Sequence, residues 1–385
     1  MSDRAAPDNP ALTSPPATAA PWNAPQALRS NNIDFLRFFL AALVIFAHSY
    51  ALPVGSDATE PLYVFSHGQR TFGHIAVDFF FILSGFLITH SWLRSKGLLD
   101  FLWRRALRIY PAFIVATLVG VFFFAPVFGG GGKAFISSID PGKFILGLVT
   151  LDPGGFKGGF DQNPMPAING SLWSIPFEAW CYVGVAALGL ATILAKRPAL
   201  MLLALVLAIA GSLIYEYRNL ALGGGVLGQI VGSPKLWARL IPFFIAGQVF
   251  YLFRHRIPWH PALLAVAIAA MIAGCKVPHA LSIISPIAGP YILFAIAFLP
   301  SIKLQHFGKF GDFSYGLYVY AFPIQQSLVA KFGTDFAVWK LFVSSFFLTL
   351  AFAVASWYLV ESPFLKLKKL GKKSPPPAPT PAPPA

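Results

Sequence analysis

Charge is what this sequence has least of. Charged residues fill 11% of its 385 positions, against 56% that are hydrophobic. A soluble domain carries about 25% charged residues. With so few, the chain lacks the polar surface to cover itself in water, and lipid has to be the solvent for much of it. Cysteine is nearly absent too. Cys181 and Cys275 both sit in apolar runs. That excludes a disulfide framework and a paired zinc motif. Acidic residues number 15 against 29 Lys and Arg, a formal net charge of +14. In a soluble protein this balance would point to nucleic acid. In a membrane protein it is what loops facing anionic lipid accumulate, so lipid and not nucleic acid is the expected partner. Residues 1–30 lack the apolar core of a secretory signal. They and the Pro-rich stretch PPPAPTPAPPA have too little to pack and are expected to be disordered.

What is there is a series of apolar runs. Ten have roughly the length to cross a bilayer: 33–53, 74–93, 107–127, 171–193, 199–216, 237–253, 261–275, 281–299, 313–331 and 336–360. The expected fold is all-α, a polytopic integral membrane protein with about ten transmembrane helices. It forms one domain over 31–365, followed by a basic and then Pro-rich tail over 366–385. The stretch Gly142–Leu151 is apolar but too short to cross and is expected to be a loop or re-entrant segment. Basic residues test the count. With the N-terminus inside, the inner loops hold Arg94, Lys96, Arg104, Arg105, Arg108, Lys196, Arg197, Arg254, Arg256, Lys303 and Lys309. The outer loops hold Asp57, Glu60, Asp140, Asp152 and Asp161 among fewer basic residues. That positive-inside pattern puts both termini in the cytoplasm. The inverted repeats of many transporters are missing. In the Gly-rich segment 128–170, GGGGK is no phosphate loop, because Val127 stands where its first Gly belongs and Ala134 follows Lys133.

Ionisable residues inside apolar runs are costly and mark function by default. The first run holds Asp34, Arg37 and His48. Arg37 and His48 are eleven residues apart, so they share one face about 16 Å apart along the axis. A snorkelling Arg37 and a hydrogen-bonded, packing His48 are the plain alternatives. In HIAVDFFFILSGFLITH, His74 and Asp78 share a face, and Ser84 and Gly85 come mid-membrane. SGF also suits simple close packing of helices, whereas Asp78 needs a partner. FLWRRALRIYP places Arg104, Arg105 and Arg108 at the inner start of the third run, with Arg104 and Arg108 on one face. They suit a positive-inside anchor, and equally an anion site, because guanidinium groups bind phosphate bidentately. NGSLWSIPFEAWCY opens the fourth run, with Ser174 as expected N-cap, Pro176 in the first turn and Glu178 near the helix start. Glu178 there also suits a plain capping carboxylate. The arginines thus form an inner layer, and His48, Asp78 and Glu178 an outer one. Group transfer across a membrane needs such a division.

These stretches resemble the acyltransferase family 3 of membrane proteins, which O-acylate bacterial surface glycans. The likeness spans about residues 31–365 and rests on five motifs in order. NNIDFLRFFLAALVIFAH is similar to the family's opening motif, with Arg37 and His48 at its Arg-x10-His positions. AVDFFFILSGFLI is similar to its second-helix motif, and RRALRIYP to its basic cytoplasmic motif. NGSLWSIPFEAWCY, with Trp173, Ser174 and Glu178, resembles its Trp-Ser…Glu…Tyr block. GDFSYGLYVYAFP, with Ser314, Tyr315 and Tyr318, resembles its Ser-Tyr…Tyr block. One departure is Ala321, where many members carry a His. No second-histidine role is carried over. The hydrolase-like domain fused to some members is not expected.

The resemblance implies acetyl-CoA, or another acyl-CoA such as a succinyl donor, on the cytoplasmic side. It implies no permanently bound cofactor and no metal. The acceptor would be a hydroxyl of a glycan or glycolipid outside a bacterial inner membrane, with envelope polysaccharide synthesis proteins as partners. His48 would act as general base on that hydroxyl, or carry the acyl group itself. Asp78 or Glu178 would orient the imidazole or bind sugar. Arg37 and the Arg104, Arg105 and Arg108 cluster would hold the CoA phosphates or the thioester end. A transporter or flippase of a lipid-linked sugar is the competing class, and a non-catalytic scaffold is the third.

Overall fold

The computed structural model describes residues 20–24, 27–28, 30–152, 159–218 and 231–369. The protein is all-helical, with no strand among the described residues. Each expected run holds a helix: α1 Ile33–Val54, α2 Phe72–Leu93, α3 Leu98–Phe128, α4 Ile175–Leu190, α5 Ala199–Arg218, α6 Pro234–Phe253, α7 Pro261–Gly274, α8 Ala280–Phe298, α9 Ser314–Phe332 and α10 Val338–Lys366. Seven of these are long and apolar enough to cross a membrane: α1, α2, α3, α5, α6, α8 and α10. α4 and α7 have 16 and 14 residues. At 1.5 Å per residue they reach about 24 and 21 Å, short of a hydrocarbon core of about 30 Å. α9 has the length but carries Gln325, Gln326 and Ser327, and protein buries most of it.

Local chemistry sets several of these boundaries. The Thr71 hydroxyl accepts from the His74 backbone, and the His74 ring accepts from the Thr71 backbone, a capping box that starts α2. Gly55, at φ 71°, ends α1 in a left-handed turn. Pro176, Pro234 and Pro261 sit in first turns, where a missing N–H costs nothing. Two helices carry a π-turn, Gly120–Phe124 in α3 and Trp357–Glu361 in α10. Such turns disturb the helical register and recur at functional sites. The second one ends on buried Glu361.

Two expectations need correction. Of the loop and re-entrant alternatives for Gly142–Leu151, the loop is excluded: Pro141–Thr150 is helical, started by the Asp140 carboxylate, which accepts from Gly142 and Lys143 N–H. The third run also begins earlier than expected. Arg104, Arg105 and Arg108 lie inside α3, so helical rotation decides where each points.

One end of the bundle gathers the starts of α1, α3 and α9 with the ends of α2, α6, α8 and α10. Asn32, just before α1, donates to the Ile296 carbonyl of α8 at 3.0 Å. Trp22 donates to the Arg254 carbonyl, just after α6, at 3.0 Å. This is the basic end. α2 packs tightly on α6, and glycine allows it. A Cβ added at Gly85 would lie 2.0 Å from the Phe244 carbonyl oxygen, and one added at Gly247 would lie 2.0 Å from that of Ile82. Both obstacles are backbone, so neither can swing aside. Gly85→Val is therefore expected to cost about 3 kcal/mol or more by overpacking, read as a lowered Tm in detergent. Gly184→Ala, where an added Cβ meets nothing within 4 Å, is the near-neutral control.

Candidate functional site

At the basic end a cavity of about 290 Å³ opens into the bundle. Its polar lining comes from six places. Arg37 is from α1, Ser84 from α2, and Arg105 and Arg108 from α3. Ser174, Glu178 and Tyr182 come from α4 and the turn before it. Ser314, Tyr315 and Tyr318 are from α9, and Lys368 follows α10. Along α2 the lining runs from Val77 to Ile88, about 16 Å of helix.

Asp312, in the loop before α9, anchors the mouth. Arg37 Nη1 and Arg108 Nη2 both donate to its Oδ2 at 2.5 Å. The Ser314 hydroxyl donates to Oδ1. Burial pushes the Asp312 carboxyl up, but Arg37 and Arg108 outweigh it and hold the group well below the usual carboxylate range. Arg108 also faces Glu361 at 3.8 Å. Arg37 and Arg108 are thus largely neutralised. Arg105 is different. Its guanidinium lies over the Tyr182 ring, 6.0 Å from the centroid. Its Nε is buried without a hydrogen-bond partner among the described residues. Beside it, burial and the charges of Arg105, Arg108 and Arg104 push the Lys368 ammonium down to about 8. Arg104 itself pairs with Asp100 at 2.8 Å and does not line the cavity. Of the expected Arg104, Arg105 and Arg108 cluster, Arg105 and Arg108 line the cavity and Arg104 does not.

Deeper in, the Ser84 hydroxyl donates to Glu178 Oε1 at 2.8 Å, and the Tyr182 hydroxyl donates to the same oxygen at 2.7 Å. Ser84 is midway along α2, so Glu178 belongs to the middle of the bundle and not to an outer layer. At the far end Ser174 Oγ and Tyr318 OH share a hydrogen bond of 2.7 Å. Ser174 therefore does not cap α4 with its side chain. Tyr315 donates to the Ile109 carbonyl of α3 at 3.0 Å and fixes α9 against it.

The remaining expected residues lie beyond the cavity. Asp78 is fully buried and accepts from Arg239 Nη2 at 2.9 Å, with Arg70 at 3.8 Å. Its partners are arginines and not the His48 imidazole. The Arg239 guanidinium lies over Trp173 at 5.7 Å. His48 is half-buried, edge-on to Phe322 at 5.3 Å, with Nδ1 buried and unpartnered among the described residues. His48 is not among the cavity's lining residues. Asp34 packs against Gly308, outside the cavity. Gly85 serves the α2–α6 contact. No three His, Cys, Asp or Glu side chains cluster to hold a metal among the described residues.

Sequence reasoning missed Asp312, Glu361, Lys368, Arg239 and Arg70. Arg239 offered a signal, a lone Arg inside an apolar run. Asp312 stood within GDFSYGLYVYAFP, two residues before Ser314.

Comparison with known proteins bears on the chain as a whole. The chain is 29% identical over 358 residues to the O-acetyl transferase of Shigella phage Sf6, covering 88% of this chain and 96% of that one. It is 26% identical over 377 residues to nodulation protein 10 of Rhizobium leguminosarum bv. viciae, covering 90% and 96%. No solved structure matches. The acyltransferase domain of the acyltransferase-3 family matches residues 30–360. A match over most of the chain places this protein in that family, as an acyltransferase built into a bundle of apolar, membrane-spanning helices.

Proposed function

We propose that this protein moves an acyl group, acetyl in the simplest case, from acyl-CoA at its basic end to a hydroxyl of a glycan or glycolipid at the other. In this reading all ten helices belong to the membrane domain, both termini are cytoplasmic, and the membrane is the bacterial inner membrane. The observation that carries it is the cavity. Its mouth offers Arg105 and Lys368, two cations without a carboxylate partner among the described residues, and its interior offers a carboxylate and several hydroxyls. A cavity of about 290 Å³ is at the small end of ligand pockets. It suits the acyl end of the donor and its arm, with the phosphates held outside by the Lys368 ammonium and the thioester end met by the Arg105 guanidinium. The relative from phage Sf6 is named an O-acetyl transferase, which favours acetyl and oxygen. His48 then serves as general base for the acceptor hydroxyl. Asp78, held by Arg239 and Arg70, lies on the acceptor's side.

The competing class is a flippase for a lipid-linked sugar. Purified protein in liposomes with labelled acetyl-CoA and an envelope glycan fraction separates the two. Label in the glycan is the expected result, and sugar movement without label would favour the flippase. The donor should also feel Lys368. It is charged below about pH 8 and neutral above. KM for acetyl-CoA is expected to rise as the pH passes through that value. Lys368→Met should show the higher KM at every pH, with kcat little changed.

A further inference from the structure

General-base catalysis by His48 leaves the most ordered part of the cavity unused. Ser84 lines the cavity midway along α2. Its hydroxyl is bonded to Glu178, and Glu178 is held in turn by Tyr182, one helical turn further along α4. A hydroxyl, a base within hydrogen-bond reach and a third group orienting that base are the parts of an activated nucleophile. Arg105 adds the fourth part. It lies over Tyr182 with a buried Nε that has no hydrogen-bond partner among the described residues. A buried, preorganised donor stabilises charge developing on a carbonyl oxygen under attack. A carboxylate merely satisfied by two hydroxyls would explain Glu178, but would give no role to the buried Arg105 donor that lines the same cavity. A thioester entering past Arg105 meets Ser84, while His48 lies outside the lining.

The geometry points to Ser84 as a covalent carrier of the acyl group, with Glu178 as its base, Tyr182 as the positioning residue for Glu178 and Arg105 as donor to the oxyanion. This rests on acyl-CoA being the donor, as proposed above. In the first half, Ser84 Oγ attacks the thioester carbonyl carbon and its proton passes to Glu178. The carbon–oxygen bond forms, the carbon–sulfur bond breaks, and the coenzyme leaves as the thiol with the proton from Glu178. In the second half, an acceptor hydroxyl enters from the side of Ser174 and Tyr318 and attacks the ester. His48, as general base, takes its proton, and that proton returns by way of Glu178 to Ser84 Oγ as the ester bond breaks, which restores the starting state.

The test mixes the full-length protein in detergent with labelled acetyl-CoA and no acceptor, quenches in acid and maps the label by peptide mass spectrometry. Release of CoA thiol is followed in parallel. The expected result is a burst of thiol with an acetyl ester on Ser84. Ser84→Ala should lose burst and label. Ser84→Cys should carry the label as a thioester cleaved by hydroxylamine at neutral pH, which shows that the site itself survives substitution. Glu178→Gln should slow the burst by about 10²-fold or more. Tyr182→Phe should move the pH profile of the burst, which a purely structural tyrosine would not do. Thiol release with the acetyl group on His48, or with no acetyl-enzyme at all, would overturn the Ser84 assignment while the donor stands. A wild-type protein that releases no thiol would overturn the donor reading, and the carrier with it.

Discussion

Replacing His48 with alanine is expected to lower acyl transfer to the glycan acceptor by about 10²–10⁴-fold, while leaving the acyl-CoA-dependent thiol burst nearly intact. The two readouts separate because the two groups are separate. Ser84, Glu178 and Arg105 line the cavity, and His48 does not. His48 sits on α1 about three turns from Arg37, against Phe322, with a ring nitrogen that no described residue satisfies. A buried, unpaired ring nitrogen awaits a partner, and an acceptor hydroxyl would supply one. Glycan acylation measured at saturating donor checks the first number, and a rapid-quench burst checks the second. Full glycan acylation by His48→Ala would remove His48 from the chemistry.

The second large effect is on stability. Asp312→Ala removes the one carboxylate that holds Arg37 and Arg108 together, and with them α1, α3 and the start of α9. Breaking a buried pair while leaving its cations in place costs about 3–5 kcal/mol. Thermal unfolding in detergent reads that loss. The pH dependence has a definite sign. The folded carboxyl is held below its ordinary range, so its contribution is present above about pH 4, where an unfolded Asp ionises, and is lost as the pH falls further. Wild type should therefore show an acid-sensitive limb that Asp312→Ala lacks. A variant as stable as wild type would mean that the arginines hold the mouth without Asp312.

The membrane character was legible because a chain this poor in charge cannot cover its surface with water-binding groups, and α1, α2, α5, α6, α8 and α10 follow from run length alone. The site was legible as a set of motifs and less so as a place. Ser84, Glu178 and Arg105 were each visible, but their meeting depends on how α2, α3 and α4 are rotated and how deep each sits. Periodicity within one helix does not encode that. Glu178, expected near the outer surface because it opens α4, sits mid-bundle because α4 is short and preceded by the turn Gly170–Ser174. Arg104 and Arg105 are neighbours in sequence and part company in space, one to Asp100 and one to the cavity. Asp78 finds Arg239 across 161 residues, a pairing no local spacing could announce. Lys368 reads as one more lysine of the basic tail in the sequence. The π-turn of α10 and the packing of the following turn on α3 bring it over the mouth.

In the function proposed above, donor and acceptor meet through this one cavity from opposite sides of the membrane. Proteoliposomes of known orientation put this to the test, with labelled acetyl-CoA confined to the side exposing Lys368 and the glycan acceptor to the other. Labelled glycan is expected in the acceptor's compartment, lost in Ser84→Ala and His48→Ala alike. Labelling that requires donor and acceptor on the same side would contradict it.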